Sequence, residues 1–245
     1  MSLKIAHITD IHIPPDDQPV RDIDVKRNFS RILRSVVEHA PDLIVFGGDL
    51  AAVEGEVACY EWIKAQLQSI QIPFSIIPGN HDRLDNLSKV FPLDHSEHPQ
   101  GCFRYQLDAL YLVGLDSSQG SVSEEQLFWL RQSTATIKDQ ILLFLHHPPL
   151  DCNCLFMDRN YPLKNRETVF ETLLSLPDVN HVFCGHYHTE KTVIKDGKTI
   201  FITPSTMLQI SQDTPSYQLD HTQPGWRLIE WLNNTLLTRV VYLEP

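Results

Sequence analysis

The chain opens with an apolar run that ends in a carboxylate and an imidazole: Leu3-Lys4-Ile5-Ala6-His7-Ile8-Thr9-Asp10-Ile11-His12. The run Leu3–Thr9 has the length and composition of a buried strand. Side chains two residues apart in an extended chain point the same way, so Asp10 and His12 are predicted to face one point beyond that strand. An isolated Asp-x-His is more often a turn with a hydrogen-bonded histidine. The motif therefore indicates a metal site only when other ligand motifs accompany it.

Strand and helix patterns alternate through residues 1–82. A helix is predicted after Asp24, a candidate N-cap, because apolar residues follow it at helical spacing. Leu43–Phe46 and Phe74–Ile77 are predicted strands, and Glu56–Leu67 is a predicted helix between them. This order is typical of βαβ units with parallel strands.

The second half of the chain is richer in strands. Asp196-Gly197 and Asn233-Asn234 each separate two apolar runs and predict two hairpins. Further strands are predicted at Phe103–Leu107, Leu110–Leu115, Ile141–Leu145 and His181–Cys184, and further helices after Ser123 and over Glu167–Leu176. The layout predicts an α/β fold of two packed sheets with helices outside, in a single domain over residues 1–245.

Four more polar clusters end apolar runs: Gly48-Asp49, Gly79-Asn80-His81-Asp82, His146-His147 and Gly185-His186-Tyr187-His188. Carboxyl ends of sheet strands are where α/β folds place ligands. Mixed carboxylate, amide and imidazole donors suit Mn, Fe, Zn or Co rather than Ca or Cu. The sequence therefore predicts a two-metal site, with Asp49 as a carboxylate able to bridge both ions. Spacing alone leaves the choice between His146 and His147 open.

Composition excludes several classes of protein. The 245 residues are 42% hydrophobic, so a sizeable core can form, and the net charge is −11. So acidic a chain lacks the basic stripe of a nucleic-acid binder, which favours a small phosphodiester over DNA or RNA. We find no signal peptide and no apolar stretch of about 18–20 residues that would span a membrane. Five scattered cysteines favour free thiols and a cytoplasmic location.

Together these motifs resemble the calcineurin-like metallophosphoesterases, whose pattern is Asp-x-His, Gly-Asp, Gly-Asn-His-(Asp/Glu), His and Gly-His-x-His. Residues 155–165 and the segments near Pro204 and Trp226 are similar to those of bacterial class III cyclic-nucleotide phosphodiesterases. The resemblance implies a four-layer α/β/β/α sandwich of two mixed sheets and two divalent or trivalent metal ions, with Fe or Mn favoured over Zn or Co. Carried over by motif, the metal ligands are Asp10, His12, Asp49, Asn80, His146, His186 and His188.

The implied activity is hydrolysis of a small phosphodiester, with 3′,5′-cyclic AMP converted to AMP as the first choice. The hypothesis is in-line attack by a metal-bridging hydroxide, since two metals lower the pKa of a shared water from about 15.7 towards 7. His81 is the predicted group for a phosphoryl or leaving oxygen, and Asp82 is predicted to orient it. Substrate contacts are predicted for Asn80, His81, His147, Phe156, Met157, Asp158 and Asn165.

Other functions stay open from the sequence. A glycerophosphodiesterase or other small-diester or monoester phosphohydrolase has much the same motifs, while a non-enzymatic scaffold is disfavoured by the intact ligand set. Phe156 and Met157 could equally cover the core. Cyclic GMP and 2′,3′-cyclic nucleotides are not separated from cyclic AMP, and a homodimer is neither required nor excluded.

Overall fold

The computed structural model describes residues 2–93, 97–137 and 139–244. His95, predicted to be a surface or structural histidine, lies outside the described residues. The strands are β1 (Ser2–Ile8), β2 (Leu43–Phe46), β3 (Phe74–Ile76), β4 (Phe103–Leu107), β5 (Leu110–Leu115), β6 (Gln140–Leu145), β7 (Val179–Cys184), β8 (Lys191–Lys195), β9 (Lys198–Ile202), β10 (Gln209–Ile210), β11 (Leu219–His221), β12 (Gly225–Leu232) and β13 (Thr235–Tyr242). The helices are α1 (Val25–Glu38), α2 (Val57–Leu67), α3 (Leu84–Val90), α4 (Glu124–Thr134), α5 (Leu155–Asn160) and α6 (Arg166–Leu174).

Two mixed sheets form the centre of the molecule. The first has the order β13-β12-β1-β2-β3, in which β1, β2 and β3 are parallel and β12 and β13 antiparallel. The second has the order β4-β5-β6-β7-β9-β8, with β5, β6, β7 and β9 parallel. The parallel strands are central in the second sheet and occupy one side of the first, where β3 is the edge strand. Within each sheet the carboxyl ends of the parallel strands lie at one edge.

Alternation along the strands divides the core into layers. Ile5, Val45 and Phe144 belong to a buried cluster that fills the space between the sheets, whereas their neighbours Ala6 and Phe46 belong to a second cluster shared with the helices. Strands covered on both faces are apolar throughout, which is why the sequence runs are continuous rather than alternating. The result is the predicted four-layer α/β/β/α sandwich.

Helix α1 illustrates how local sequence sets the outer layer. Asp24 Oδ1 accepts a hydrogen bond from the backbone N–H of Arg27 at 2.9 Å, which is an N-cap. Phe29 and Ile32 are fully buried, and the Phe29 and Phe46 rings lie 6.4 Å apart. Because α1 begins at the Asp24 cap and packs this face against β2, its position is fixed. The end of the loop that connects β1 to α1 is therefore fixed as well.

Some elements differ from the predictions. Residues 155–160 form helix α5 rather than a loop, and α3 and the two-stranded β10–β11 sheet were not predicted. At α4, Ser123 Oγ accepts from Gln126 N at 3.2 Å, but the Gln126 amide binds the backbone of Asp116 instead of returning to Ser123. These elements are short, so periodicity carries little signal for them.

The five cysteines are free, as the sequence predicted, and all five are buried. Burial raises the pKa of the Cys154 thiol to about 12. Among the described helices, none has the length and apolar character needed to cross a bilayer.

Candidate metal centre

The predicted ligands meet at the edge where parallel strands of both sheets end. Asp10 and His12 follow β1, Asp49 follows β2, and Asn80 follows β3. From the second sheet, His146 follows β6, while His186 and His188 follow β7. Six of these side chains fall into two groups whose ligand atoms lie within 4.8 Å of one another: Asp10, His12 and His188; and Asp49, His146 and His186.

The backbone at the ligands is not extended, which corrects the expectation for Asp10 and His12. Asp10 and His12 have φ of 55° and 54°, and Asp49 has φ of 52°. His186 and His188 lie in the same left-handed region, at 66° and 47°. Non-glycine residues seldom occupy this region, and such residues cluster at functional sites. Tight left-handed turns, rather than the two-residue repeat of a strand, aim these side chains.

Two motif glycines allow the ligand loops to touch. A Cβ on Gly79 would overlap the backbone and carboxylate of Asp49, and one on Gly185 would overlap Thr9 and the Asp10 carboxylate. Glycine is therefore required by close approach between loops at these positions.

The first ligand group contains polar atoms that need a cation between them. His188 Nε2 lies 3.0 Å from His12 Nε2 and 3.2 Å from Asp10 Oδ1. Because His188 Nδ1 is 3.2 Å from the carbonyl of Leu208, which can only accept, Nδ1 carries a proton and Nε2 is the ring nitrogen that faces the centre. A lone pair facing a carboxylate oxygen is repelled unless a proton or metal ion joins them.

The second ligand group holds an orphaned nitrogen. His146 is fully buried, its Nδ1 donates to the Gly47 carbonyl at 2.7 Å, and its Nε2 has no hydrogen-bond partner among the described residues. That Nε2 lies 3.4 Å from Asp49 Oδ2. His186 Nε2 donates to the Tyr161 carbonyl at 3.0 Å, which leaves Nδ1 as its free donor atom. Carbonyls that fix the tautomer in this way are typical partners of metal-binding histidines.

Asp49 lies between the two groups. Its Oδ1 accepts from the backbone N–H of His81 at 2.8 Å, while Oδ2 lies 3.9 Å from His12 Nε2 and 3.4 Å from His146 Nε2. One oxygen is thus held by the protein and the other faces imidazoles of both groups. This placement fits a bridging role for the carboxylate.

The electrostatics favour positive charge at this edge. Burial raises the pKa of Asp10, but the nearby His188 and His146 imidazoles outweigh it and keep that pKa well below its usual range. Burial also opposes protonation of His146, yet Asp49 and Asp10 raise its pKa to about 9. Two buried carboxylates therefore draw a proton onto His146, and a bound metal cation can take the place of that proton.

Asp82 supports the site from behind. Its carboxylate accepts hydrogen bonds from the backbone N–H groups of Leu50, Ala51 and Gly79 and from the Tyr60 hydroxyl. Burial raises its pKa to about 6. Its oxygens are fully engaged away from the reaction side and do not contact the His81 ring, so Asp82 is a positioning residue rather than a catalytic one.

A cavity of about 520 Å³ opens beside the metal ligands, and four of the predicted substrate contacts line it: His81, Asn80, Phe156 and Met157. His81 Nδ1 lies 3.2 Å from the Val53 carbonyl, which leaves Nε2 for the cavity. A ring nitrogen of His81 also lies within 4.8 Å of ligand atoms of His12 and Asp49. His81 is therefore placed to contact a bound phosphoryl group.

His147 lies on the other side of the metal ligands. Its Nδ1 is hydrogen-bonded with Ser117 Oγ at 2.9 Å, and it lines a second cavity of about 420 Å³ together with Asn80 and Lys164. His146, rather than His147, joins the described ligand groups. Neighbouring residues of a strand end point in opposite directions, and only the fold reveals which one faces inward.

Two predicted substrate contacts do not reach either cavity. The Asp158 carboxylate accepts from the backbone N–H groups of Cys152 and Cys154 and from the Tyr187 hydroxyl. Asn165 binds the backbone of Val122 through both amide atoms. Both side chains fix loops next to the site, and a contact of either with substrate stays a prediction.

Several residues of the site were not expected from the sequence. Arg21 and Tyr217 line the larger cavity, and Ser205 Oγ donates to the Asp10 carbonyl at 2.8 Å. Arg21 and Tyr217 lie in segments without periodicity or metal-ligand spacing, so no sequence signal marks them. Ser205 lies in the segment near Pro204, whose only signal is its similarity to a known family.

The comparisons with known proteins agree with this geometry. Residues 3–190 match the family described as calcineurin-like phosphoesterase. A probable cyclic nucleotide phosphodiesterase of Fibrobacter succinogenes is 43% identical over 98% of this chain and 94% of its own length. The 3′,5′-cyclic adenosine monophosphate phosphodiesterase CpdA of Escherichia coli K12 is 29% identical over 97% of this chain and 89% of its own.

A solved structure supports the fold. The crystal structure of a dimetal phosphatase from Danio rerio superposes with a TM-score of 0.68, covering 96% of this chain and 98% of that one, at 13% identity. Identity this low relates the two proteins by fold alone.

Proposed function

Because this chain belongs to the calcineurin-like phosphoesterase family and is a phosphoester hydrolase, we propose that it hydrolyses 3′,5′-cyclic AMP to AMP at a two-metal site. The observation that carries the proposal is the pair of ligand groups that face each other across Asp49 beside an open cavity. The substrate is chosen because relatives similar over nearly the whole chain are named for cyclic nucleotides.

We assign one metal ion to Asp10, His12, Asp49 and His188, and the other to Asp49, Asn80, His146 and His186. Mixed oxygen and nitrogen donors of this kind favour Fe or Mn, with Zn or Co as alternatives. When bound, such a pair supplies positive charge beside the phosphoryl oxygens and a water of lowered pKa.

The protein's own groups orient the substrate and handle protons. His81 donates Nδ1–H to the Val53 carbonyl and turns Nε2 toward the cavity. When both nitrogens are protonated, Nε2–H is free to donate to a phosphoryl oxygen or to the departing ribose 3′-oxygen. Asp82 acts only through the backbone, because it holds the loops that carry Asp49 and Asn80.

The cavity walls suit a nucleoside. At about 520 Å³ the cavity has the size of a small-molecule site, and Phe156, Met157 and Tyr161 form an apolar wall near the metal ligands. If this wall holds the base, Phe156→Ala raises KM for a cyclic nucleotide and leaves KM for a small synthetic diester unchanged. If Phe156→Ala raised KM equally for both substrates, the apolar wall would not hold the base.

A glycerophosphodiester is the second candidate substrate. The cavity lined by His147 and Lys164 shares Asn80, Tyr161 and His186 with the larger one. A linear diester carries two substituents on phosphorus, and two cavities flanking one metal centre would accept one each. Cyclic AMP, whose two ester bonds lead to one ribose, needs only one cavity.

A substrate panel tests the proposal. The purified protein is supplied with Mn²⁺, and turnover of cyclic AMP, cyclic GMP, 2′,3′-cyclic AMP and glycerophosphocholine is measured side by side, together with metal content. The expected result is two ions per chain and the highest kcat/KM for 3′,5′-cyclic AMP. Preference for glycerophosphocholine would select the second candidate, and a metal-free inactive protein would contradict both.

A further inference from the structure

The larger cavity extends from the metal ligands to a rim that carries a positive charge. Arg21 and Tyr217 line this rim, and the Arg21 Cζ atom lies 4.9 Å from the centre of the Tyr217 ring. A guanidinium over an aromatic face keeps its N–H donors available to other acceptors. The rim therefore combines an aromatic ring with hydrogen-bond donors.

A chain of ring contacts connects the rim to the metal centre. Tyr217 and Phe156 have ring centres 5.9 Å apart, and Phe156 and Tyr161 have ring centres 5.7 Å apart. The Tyr161 carbonyl accepts from His186 Nε2 at 3.0 Å. A ligand whose phosphate reaches the metal ligands thus has three aromatic side chains, packed edge to face, along its remaining length.

Arg21 has spare hydrogen-bonding capacity. Over residues 2–93, 97–137 and 139–244, its guanidinium makes the Tyr217 contact and neither a hydrogen bond nor an ion pair. Among the described residues that line this cavity it is the sole arginine or lysine. In a chain of net charge −11, a guanidinium at the rim without an acceptor in the described part of the chain is available to a ligand.

The loop that carries Arg21 is a fixed one. Val20 and Ile23 exchange two backbone hydrogen bonds of 3.0 Å each, and Arg21 and Asp22 between them have φ of 51° and 62°. This is a two-residue turn of the type that joins paired strands. Tyr217, on the facing side, lies in the connection between β10 and β11, whose ends are joined by the Ser211 N–H bond to the Gln218 carbonyl at 2.9 Å.

We propose that Arg21 and Tyr217 form a base-recognition clamp that selects purine over cytosine in the cyclic nucleotide. This inference rests on the proposed function. The base stacks on the aromatic wall, and Arg21 donates to purine N7, an acceptor on the edge of both adenine and guanine. The corresponding edge of cytosine presents only the N4 donor group, which cannot accept from arginine.

The deciding experiment compares 3′,5′-cyclic AMP with its 7-deaza analogue, which lacks the N7 acceptor. With the metal-loaded wild-type protein, the 7-deaza compound is expected to have a KM about tenfold higher at similar kcat, since a hydrogen bond to a charged donor contributes about 1.5 kcal/mol or more. Arg21→Ala should raise KM for cyclic AMP by a similar factor and abolish the difference between the two compounds.

Matched variants separate base recognition from general charge. Arg27→Ala removes an equal charge from an arginine that lines a different cavity, formed with Asp24 and Pro224, and should leave both KM values unchanged. Tyr217→Phe keeps the stacking ring and should behave as wild type, whereas Tyr217→Ala should follow Arg21→Ala. Cyclic CMP should be a poor substrate for the wild type and insensitive to Arg21→Ala.

The outcomes are distinguishable. Equal KM increases for cyclic AMP, 7-deaza-cyclic AMP and cyclic CMP in Arg21→Ala would mean that Arg21 attracts the phosphate, and would overturn the clamp. No change in any of them would overturn it as well. Failure of the wild-type protein to turn over any cyclic nucleotide, with glycerophosphocholine still hydrolysed, would contradict the proposed function and the clamp with it.

Discussion

At the scale of single residues, the metal centre is built from ligands in unusual backbone conformations whose ring tautomers are set by carbonyl groups. His146 donates to the Gly47 carbonyl and His188 to the Leu208 carbonyl through Nδ1, so each directs Nε2 to the centre. Preset tautomers of this kind lower the cost of reorganising the ligands when a cation binds. The same residues would repel one another without a proton or cation between them.

His81 separates substrate handling from metal binding. His81→Ala is expected to keep both ions and to lower kcat about 10²- to 10⁴-fold, the usual contribution of proton transfer by a positioned side chain. Metal content by plasma emission and kcat on a diester are the measurements. Asp49→Ala is the matched control and should lose both metal and activity. If His81→Ala lost metal instead, His81 would be a metal ligand. Its ring nitrogen lies close enough to ligand atoms of His12 and Asp49 for that role.

His7 makes the fold sensitive to acid. Burial lowers its pKa to about 3, from an ordinary value near 6.5, and its Nδ1 is hydrogen-bonded with Thr203 Oγ1 at 2.8 Å. Between these two pH values the unfolded chain binds a proton that the folded one does not, so the stabilisation present above pH 6.5 is lost as pH falls toward 3. The loss approaches about 1.4 kcal/mol per pH unit.

His7→Gln keeps a hydrogen-bonding side chain but cannot titrate. Urea unfolding is measured at pH 7.5, 6.0 and 5.0 in excess chelator, so that no metal is bound. As the pH falls, the free energy of unfolding should therefore decrease less steeply for His7→Gln than for wild type. His39→Gln, at a partly exposed histidine on the end of α1, is the control and should keep the wild-type slope. Identical slopes for His7→Gln and wild type would show that His7 does not set the acid sensitivity.

At the scale of elements, one short segment supports one half of the metal centre. Ser205 Oγ donates to the Asp10 carbonyl and accepts from Met207 N, Leu208 O accepts from His188 Nδ1, and Ile210 N donates to His188 O. Residues 205–210 thus hold both Asp10 and His188, which are ligands of the first group. These bonds end on Asp10 and His188 and not on Asp49, His146 or His186, so the segment acts directly on the first group only.

Ser205→Ala should consequently weaken the first ion more than the second. Loss of such a supporting contact typically costs about 10- to 100-fold in metal affinity. At a Mn²⁺ concentration that fills both wild-type sites, calorimetry is expected to find one tight and one weakened site. Ser216→Ala, at an exposed serine of the β10–β11 connection, should retain two tight sites. If Ser205→Ala lowered the affinity for both ions equally, the segment would not act on the first ligand group alone.

At the scale of the whole molecule, the metal centre joins the two sheets. Asp10, His12 and Asp49 come from loops of the first sheet, whereas His146, His186 and His188 come from the second. The carboxylates Asp10 and Asp49 are buried at this junction. Cations that bind only the folded arrangement must therefore stabilise the packing of the sheets against each other.

Metal removal should lower the melting temperature. A ligand present at about 100 times its Kd adds about 2.7 kcal/mol, which for a chain of this size corresponds to a shift of about 5–10 °C. Calorimetric melting with Mn²⁺ and with excess chelator is the measurement. Asp49→Ala serves as the control, because it should melt at the same temperature in both conditions. If chelator did not change the melting temperature of the wild-type protein, metal binding would not stabilise the fold.

The sequence alone determined which residues carry chemistry and roughly where the strands end, because both depend on local patterns. Continuous apolar runs predicted doubly covered strands, and the polar clusters at their ends named the candidate ligands. The contacts that Asp158 and Asn165 make could not be read from such patterns. Asp158 binds the backbone just before its own helix, and Asn165 binds the backbone of Val122.

Residue spacing left His146 and His147 undecided until the tertiary structure placed His146 among the ligand groups. The tertiary structure also gave Asp82 a supporting role and brought Arg21 against Tyr217. Each of these depends on distances between atoms far apart in the chain and on left-handed turns held by contacts from other loops. A pattern of residue types along one segment records neither quantity, since the direction of a side chain in a loop is decided by what packs against it.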